Sequence, residues 1–155
     1  MFVVVFAALN LLIWAASVNG LIARLELLTT RAVEPLIAAV GIPVVMTGNL
    51  LRLTNHTLAI DFDCTAITLM ALYVAIVVAY PLNWLQRLQA VLLGLPVIFV
   101  VNQLRLLGVA VASEYLPESQ FYFVHDYLFM VVMVFTVLAL WLFWLERMRL
   151  RGSAS

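Results

Sequence analysis

Long apolar runs alternate with short polar segments, and four of these runs have the length of a membrane helix. They comprise residues 1–17, 64–80, 88–112 and 127–145. A bilayer core needs an apolar helix of about 17–25 residues. The pattern therefore predicts an all-α polytopic membrane protein with about four transmembrane helices. The first run lacks the basic n-region of a signal peptide, so we expect it to be retained as a span.

The polar insert between the first two runs, residues 18–63, begins with a helical pattern. A stripe of apolar residues recurs at helical spacing beside two arginines; the stripe is Leu21, Leu25, Leu28 and Ala32, and the arginines are Arg24 and Arg31. This pattern predicts an amphipathic helix in the membrane interface, which Pro35 is expected to end. Residues 36–46 are apolar but short, and we interpret them as an interfacial or re-entrant segment.

The second half of the insert changes to a period of two. Leu51 and Leu53 flank a polar residue, and a second alternating run covers residues 58–63. Asn55-His56 separates the two runs. The alternation predicts a small β-hairpin with one apolar face, and this hairpin leads directly into Cys64.

The arginines bear on the topology, because cytoplasmic loops of membrane proteins are enriched in basic residues. With four spans and both termini in the cytoplasm, four arginines lie inside and three outside. If residues 36–51 also span, the N-terminus moves outside and the ratio becomes six to one. Five spans are therefore the alternative. Both topologies place Cys64 and the 113–125 loop on the outer face.

Composition narrows the class of protein further. The 155 residues have the length of one domain, and we expect a single integral membrane domain over residues 1–155. Hydrophobic residues make up 66% and charged residues 10% of the chain, with a formal net charge of zero. These values exclude a water-soluble domain, a disordered tail and a nucleic-acid-binding protein. A single cysteine excludes an internal disulfide and an all-cysteine zinc site; we expect neither a metal nor a cofactor.

Arg105 interrupts the third apolar run, about seven residues or roughly 10 Å from its outer end. A charge at this depth is costly and usually has a partner or a function. In one interpretation its side chain extends outward to the membrane surface, or pairs with Asp61, Asp63 or Asp126 and holds the helices together. In the other it faces a polar cavity and stabilises a negative charge there, and Asn102, at position i−3, lies on the same helix face.

Cys64 and His125 lie at the outer ends of two other apolar runs. A lone cysteine in apolar surroundings is usually inert, and a lone interfacial histidine usually packs or caps a helix. Cys64, however, lies where the hairpin meets a helix N-terminus, which favours the thiolate and lowers the thiol pKa. A nucleophile, a base and a fixed cation at one depth of the membrane are the requirements of acyl transfer.

At these residues the chain resembles the exosortase/archaeosortase family of membrane transpeptidases. The resemblance covers roughly residues 32–149 and rests on the order of three short motifs. These are Ile60-Asp61-Phe62-Asp63-Cys64 after the hairpin, Asn102-Gln103-Leu104-Arg105 in the next span, and His125-Asp126 at the last span. Many members follow the cysteine with Ser-Gly or Asn-Gly, whereas this chain has Thr65-Ala66. We therefore expect a different backbone after the nucleophile. The length of the chain resembles that of the compact branches.

The resemblance implies a cysteine protease and transpeptidase in the inner (cytoplasmic) membrane, with its active site on the extracytoplasmic face. It implies that Cys64 is the nucleophile, Arg105 the transition-state cation and His125 the acid/base. Asn102 and the backbone N–H of Thr65 are candidate further donors, and Asp126 is a candidate support for the site. Implied partners are membrane lipid and exported proteins that end in a sorting motif, a transmembrane helix and a basic tail.

Two other functions fit the same residues. In a non-catalytic membrane assembly subunit, Arg105 is a structural cation and Cys64 is replaceable by serine. In a cysteine-dependent membrane acyltransferase, Cys64 forms a thioester with a fatty acyl chain rather than with a peptide.

Overall fold

The computed structural model of the protein describes residues 1–117, 120–121 and 129–152. Five α-helices and a three-stranded sheet lie within these ranges. The helices are α1 (Phe2–Val18), α2 (Leu21–Ala39), α3 (Ile67–Ala79), α4 (Trp84–Tyr115) and α5 (Phe129–Gly152). The strands are β1 (Val45–Thr47), β2 (Leu50–Arg52) and β3 (Thr57–Ala59).

Four of the helices occupy the four apolar runs of the sequence. Within the described ranges, α4 and α5 contain stretches long and apolar enough to cross a membrane, over Trp84–Tyr115 and Met130–Arg147. Helices α1 and α3 are also apolar but have 17 and 13 residues, and at 1.5 Å per residue the shorter one extends only about 20 Å. The crossing of the membrane by all four helices remains a prediction, as does the five-span alternative.

Helix α2 confirms the predicted helix but not its predicted end. Pro35 lies inside the helix, which continues to Ala39. The missing N–H of a proline removes one hydrogen bond, and the fully buried Ile37 anchors the residues that follow. The buried face of α2 consists of Ile22, Thr29, Thr30, Val33 and Ile37. The predicted apolar stripe points away from this face, since Leu21 and Leu28 are 49% and 56% exposed.

The predicted hairpin is confirmed as β2 and β3, whereas the interfacial or re-entrant position of residues 36–46 stays a prediction. These residues form the end of α2, a turn, and the start of β1. All three strands are antiparallel and adjacent in sequence order. Leu51 pairs with Met46 on one side and with Leu58 on the other, so an apolar row crosses the sheet and packs against the core.

Two apolar clusters form the core, and α4 contributes to both. The first joins α2, the sheet and α4; it contains Val33, Ile37, Ile42, Leu51, Ile60, Cys64, Leu106 and Ala110. The second joins α3, α4 and α5, with Tyr73, Ile98, Met133 and Val137 among its members. In the second cluster the Tyr73 hydroxyl donates a hydrogen bond to the carbonyl of Ala90, at 3.0 Å. Because the sheet and the packed helices both lie against α4, this helix positions the segments that carry the candidate site.

Candidate functional site

Cys64 lies in a short 3-10 turn between the sheet and α3. The turn covers Phe62–Thr65, and α3 begins only at Ile67. The backbone N–H of Cys64 donates to the carboxylate of Asp61, at 3.3 Å, and the hydroxyl of Thr65 donates to the carbonyl of Phe62, at 2.7 Å. Cys64 therefore lies between the hairpin and the N-terminus of α3, as expected, but its N–H is directed to Asp61 and Ala66 separates the turn from α3.

Ala66 has a backbone conformation that normally favours glycine. Its φ is +58° and its ψ is +11°, and it is the only non-glycine residue with positive φ in the described part of the chain. A residue with a Cβ adopts this left-handed backbone conformation at a cost of about 1–2 kcal/mol. Alanine thus takes here the left-handed conformation that a glycine would adopt freely. The expected difference from the backbone of members with glycine after the cysteine stays a prediction.

Asn102 connects the cysteine turn to Arg105. It is fully buried on α4, and its side-chain Nδ2 donates to the backbone carbonyl of Cys64, at 2.8 Å. Its Oδ1 accepts a long hydrogen bond from Nη1 of Arg105, at 3.4 Å. The structure therefore brings Cys64, Asn102 and Arg105 together from two separate segments, and Asn102 binds the backbone of the turn.

Arg105 is only partly satisfied by protein groups. Its buried Nε has no hydrogen-bond partner among the described residues. No ion pair joins it to Asp61 or Asp63, and Asp126 lies outside the described residues. The interpretation of Arg105 as a structural ion pair with Asp61 or Asp63 is therefore wrong in this structure, and the guanidinium retains donors for a further acceptor.

A cavity of about 480 Å³ lies beside Arg105. The turn and the start of α3 form one wall, and α5 forms the opposite wall; the lining residues include Asp63, Ala66, Thr68, Arg105, Met130 and Met133. Cys64 is not among the lining residues, because its side chain packs in the first apolar cluster. Among the residues that the structure describes, the thiol therefore does not open into the cavity.

Burial changes the acidity of the thiol. It raises the pKa of Cys64 to about 11, against the opposing effects of a hydrogen bond from the backbone of Asp61 and of the nearby Arg105 charge. The carboxylate of Asp61 raises this pKa further. The pKa of Cys64 is therefore raised, whereas a helix N-terminus was expected to lower it. The cost of desolvating the thiolate outweighs the effect of the local dipoles.

Two contacts of the hairpin turn escaped the sequence analysis. The carboxylate of Glu114 accepts two hydrogen bonds from Asn55, in the hairpin turn. The ring of the next residue, His56, stacks on Phe121 with 6.4 Å between ring centroids. Residues this far apart in sequence have no spacing that pairs them, so no sequence signal identified these contacts. The predicted site residues His125 and Asp126 lie outside the described residues.

The comparisons with known proteins identify a family. A family model described as transmembrane exosortase matches residues 1–152, which is nearly the whole chain. No curated protein and no solved structure matches the chain.

Proposed function

Since the chain belongs to the transmembrane exosortase family, we propose that it is a membrane-embedded cysteine transpeptidase. It cleaves exported proteins at a C-terminal sorting signal, which consists of a short motif, a transmembrane helix and a basic tail. It holds the new C-terminus as a thioester on Cys64 and passes it to an acceptor. The reaction takes place on the extracytoplasmic face of the cytoplasmic membrane.

The observation that carries this proposal is the bridge made by Asn102. One buried side chain binds the backbone carbonyl of Cys64 at 2.8 Å and receives Nη1 of Arg105 at 3.4 Å. A buried amide that holds a nucleophile turn and a cation together supports a preorganised site. The cavity beside Arg105 has the size of a small-ligand or short-peptide site.

The chemistry proceeds in two balanced steps. His125 takes the proton of the Cys64 thiol as the sulfur attacks the scissile carbonyl carbon, and the collapse of the tetrahedral intermediate breaks the C–N bond. The leaving amine takes a proton from His125, and the acyl group stays on sulfur as a thioester. An acceptor amine or water then attacks this thioester, gives its proton to His125, and releases the Cys64 thiolate. The thiolate takes this proton back from His125, which restores the resting thiol.

Arg105 is the proposed electrostatic catalyst in both steps. Arg105 lines the cavity, and its buried Nε has no partner among the described residues, so a small shift of the side chain would give the oxyanion of the tetrahedral intermediate a guanidinium donor. In a site that excludes water such a donor is strongly stabilising. The backbone N–H of Thr65 is a second candidate donor.

Activation of the thiol requires a change from the resting geometry. With a pKa of about 11, Cys64 is almost entirely protonated at neutral pH. Its side chain also has to rotate from the apolar cluster towards the cavity. We propose that substrate binding and proton transfer to His125 provide both changes, so that the thiolate forms only when a scissile carbonyl is present.

The same observations give the assembly-subunit hypothesis its specific support. A buried thiol with a raised pKa is typical of an inert cysteine. The two functions differ in one requirement, because a subunit keeps its activity when Cys64 is replaced by serine and a transpeptidase does not.

A trapping experiment tests the proposal. Wild type and Cys64→Ser are expressed beside a membrane-anchored protein from the same genome that ends in a motif, a helix and an arginine tail. Cleavage is followed by the size of this protein on a gel, and the thioester by a hydroxylamine-sensitive adduct on the enzyme. Loss of both signals in Cys64→Ser supports the transpeptidase, whereas cleavage that persists in this variant contradicts it. An adduct that carries a fatty acyl chain instead identifies the acyltransferase.

Arg105 variants test the role of the cation. Arg105→Ala should abolish cleavage while the protein still inserts, and Arg105→Lys should also fail if two guanidinium donors are needed. Arg147→Ala, at an exposed position of α5, is the matched control and should retain activity. Full activity of Arg105→Ala would remove the transition-state role.

A further inference from the structure

Helix α2 presents two arginines on the side opposite its buried face. Arg24 and Arg31 are both exposed, and seven residues place them about 20° apart around the helix. Val33 is fully buried and follows Arg31 by two residues, which places it about 200° away. Both guanidinium groups therefore point away from the core.

Neither arginine is held by a carboxylate contact in the described part of the chain, although α2 also carries Glu26 and Glu34. Within the described residues no carboxylate forms an ion pair with Arg24 or Arg31. Leu21 and Leu28 lie on the same outward side and are 49% and 56% exposed. The outward face of α2 therefore combines exposed apolar surface with two guanidinium groups that form no ion pair among these residues.

Arginines beside exposed leucines are typical of the interfacial layer of a membrane, between the headgroups and the acyl chains. The two described stretches that qualify as apolar spans belong to α4 and α5, and charged α2 is not one of them. The outer boundary of the acyl chains is where leucine side chains meet hydrocarbon and arginines meet phosphate. Guanidinium groups bind phosphate in a bidentate geometry that a lysine lacks, and all eight basic residues of this chain are arginines.

We propose that the outward face of α2 is a binding surface for the headgroups of anionic phospholipids. Arg24 and Arg31 each bind the phosphate of one lipid, because seven residues separate them by about 10 Å along the helix. The acyl chains of these lipids pack against Leu21 and Leu28. This surface lies on the face of α2 opposite the core cluster that contains Cys64. Bound lipid therefore packs against the side of α2 that does not contact the protein core.

Retention of lipid tests the binding surface. The full-length protein is reconstituted in phosphatidylcholine vesicles with and without phosphatidylglycerol, extracted, and analysed for retained lipid by native mass spectrometry. Wild type should retain phosphatidylglycerol preferentially. Each of Arg24→Gln and Arg31→Gln should reduce this preference about fivefold, the factor for one basic residue at an anionic surface. Arg147→Gln is the matched control. Equal losses in all three variants would overturn the proposal.

The depth of α2 gives an independent test that does not depend on charge variants. In a Cys64→Ser background, which has no other cysteine, a spin label is attached at Leu28→Cys and, as the control, at Leu138→Cys on α5. The label at position 28 should be accessible to both oxygen and a polar relaxation agent, whereas the label at 138 should be accessible to oxygen alone. A label at 28 that meets only oxygen would place α2 in the hydrocarbon and overturn the proposal. Neither measurement uses cleavage activity.

Discussion

The carboxylate of Glu114 accepts hydrogen bonds from two nitrogens of Asn55, the backbone N–H at 3.0 Å and the side-chain Nδ2 at 2.9 Å. The contact ties the hairpin turn to the C-terminal end of α4, although the two residues are 59 positions apart. The same hairpin leads to Cys64, which α4 holds through Asn102. The segment that carries the nucleophile is thus fixed to α4 at two points.

We expect the Glu114–Asn55 contact to position the nucleophile turn. Glu114→Ala should lower kcat for cleavage severalfold and leave KM nearly unchanged, because the substrate cavity does not include either residue. Asn55→Ala should have the same effect. The double variant should be no worse than either single one, since both remove one interaction.

Two controls separate positioning from a general loss of structure. Glu114→Gln keeps one acceptor and should recover part of the activity, and Glu146→Ala, exposed on α5, should have no effect. Independent, additive losses in the double variant would contradict a shared contact.

The acidity of Cys64 predicts a specific pH dependence. Because burial raises the pKa of the thiol to about 11, its alkylation by a small neutral maleimide should be slow at neutral pH. The rate should rise steeply with pH and inflect far above the ordinary value of about 8.5. The measurement uses the enzyme without substrate, and Cys64→Ser is the blank. An inflection below 8.5 would show that a base outside the described residues, such as His125, already ionises the resting thiol.

The sequence was sufficient for the elements that depend on local pattern. Apolar length predicted the helices, and a period of two predicted the hairpin of β2 and β3. Strand β1 escaped because Val45–Thr47 follows an apolar stretch without alternation, and its pairing with β2 depends on a neighbouring strand. The sequence predicted that α2 ends at Pro35, but the helix continues to Ala39. Burial of Ile37 is a tertiary effect that overrides the local preference of proline.

For the site, the sequence identified the residues but not their contacts. Spacing placed Asn102 and Arg105 on one helix face, and the structure joins them. The acidity of Cys64 was predicted in the wrong direction because it depends on burial by α2 and the sheet, which no local motif encodes. The bond from Asn102 to Cys64 spans 38 positions and follows only from the packing of α4 against the turn.

Replacement of Ala66 by glycine should stabilise the protein. The left-handed backbone of Ala66 costs about 1–2 kcal/mol for a residue with a Cβ, which exceeds the entropic cost of about 0.5–1 kcal/mol for glycine. We expect a net gain of about 0.5–1 kcal/mol, measured by thermal unfolding in detergent. Ala71→Gly, inside α3, is the control and should destabilise. A loss of stability in both variants would contradict the strain at Ala66.

Gly94 should tolerate no side chain. A Cβ at this position would overlap the ring of Tyr73, which is fully buried between α3 and α4. Gly94→Ala should lower stability by about 1–3 kcal/mol, the usual cost of overpacking, and should reduce the folded yield in detergent. Leu93→Ala changes an exposed neighbour on the same helix and should be nearly neutral. Equal thermal stability of Gly94→Ala and wild type would show that the two helices separate easily here.

Loss of the Asn102 amide should reduce catalysis more than it reduces folding. Asn102→Asp removes the donor to the Cys64 carbonyl but keeps an acceptor for Arg105, whereas Asn102→Ala removes both. We expect Asn102→Ala to lower kcat by about 10²-fold, the cost of a small displacement of catalytic groups, and Asn102→Asp to be similarly impaired because the turn loses its anchor. Thr136→Ala, whose hydroxyl binds only its own helix, is the control. Retention of kcat in Asn102→Asp would show that Asn102 acts through Arg105 rather than through the turn.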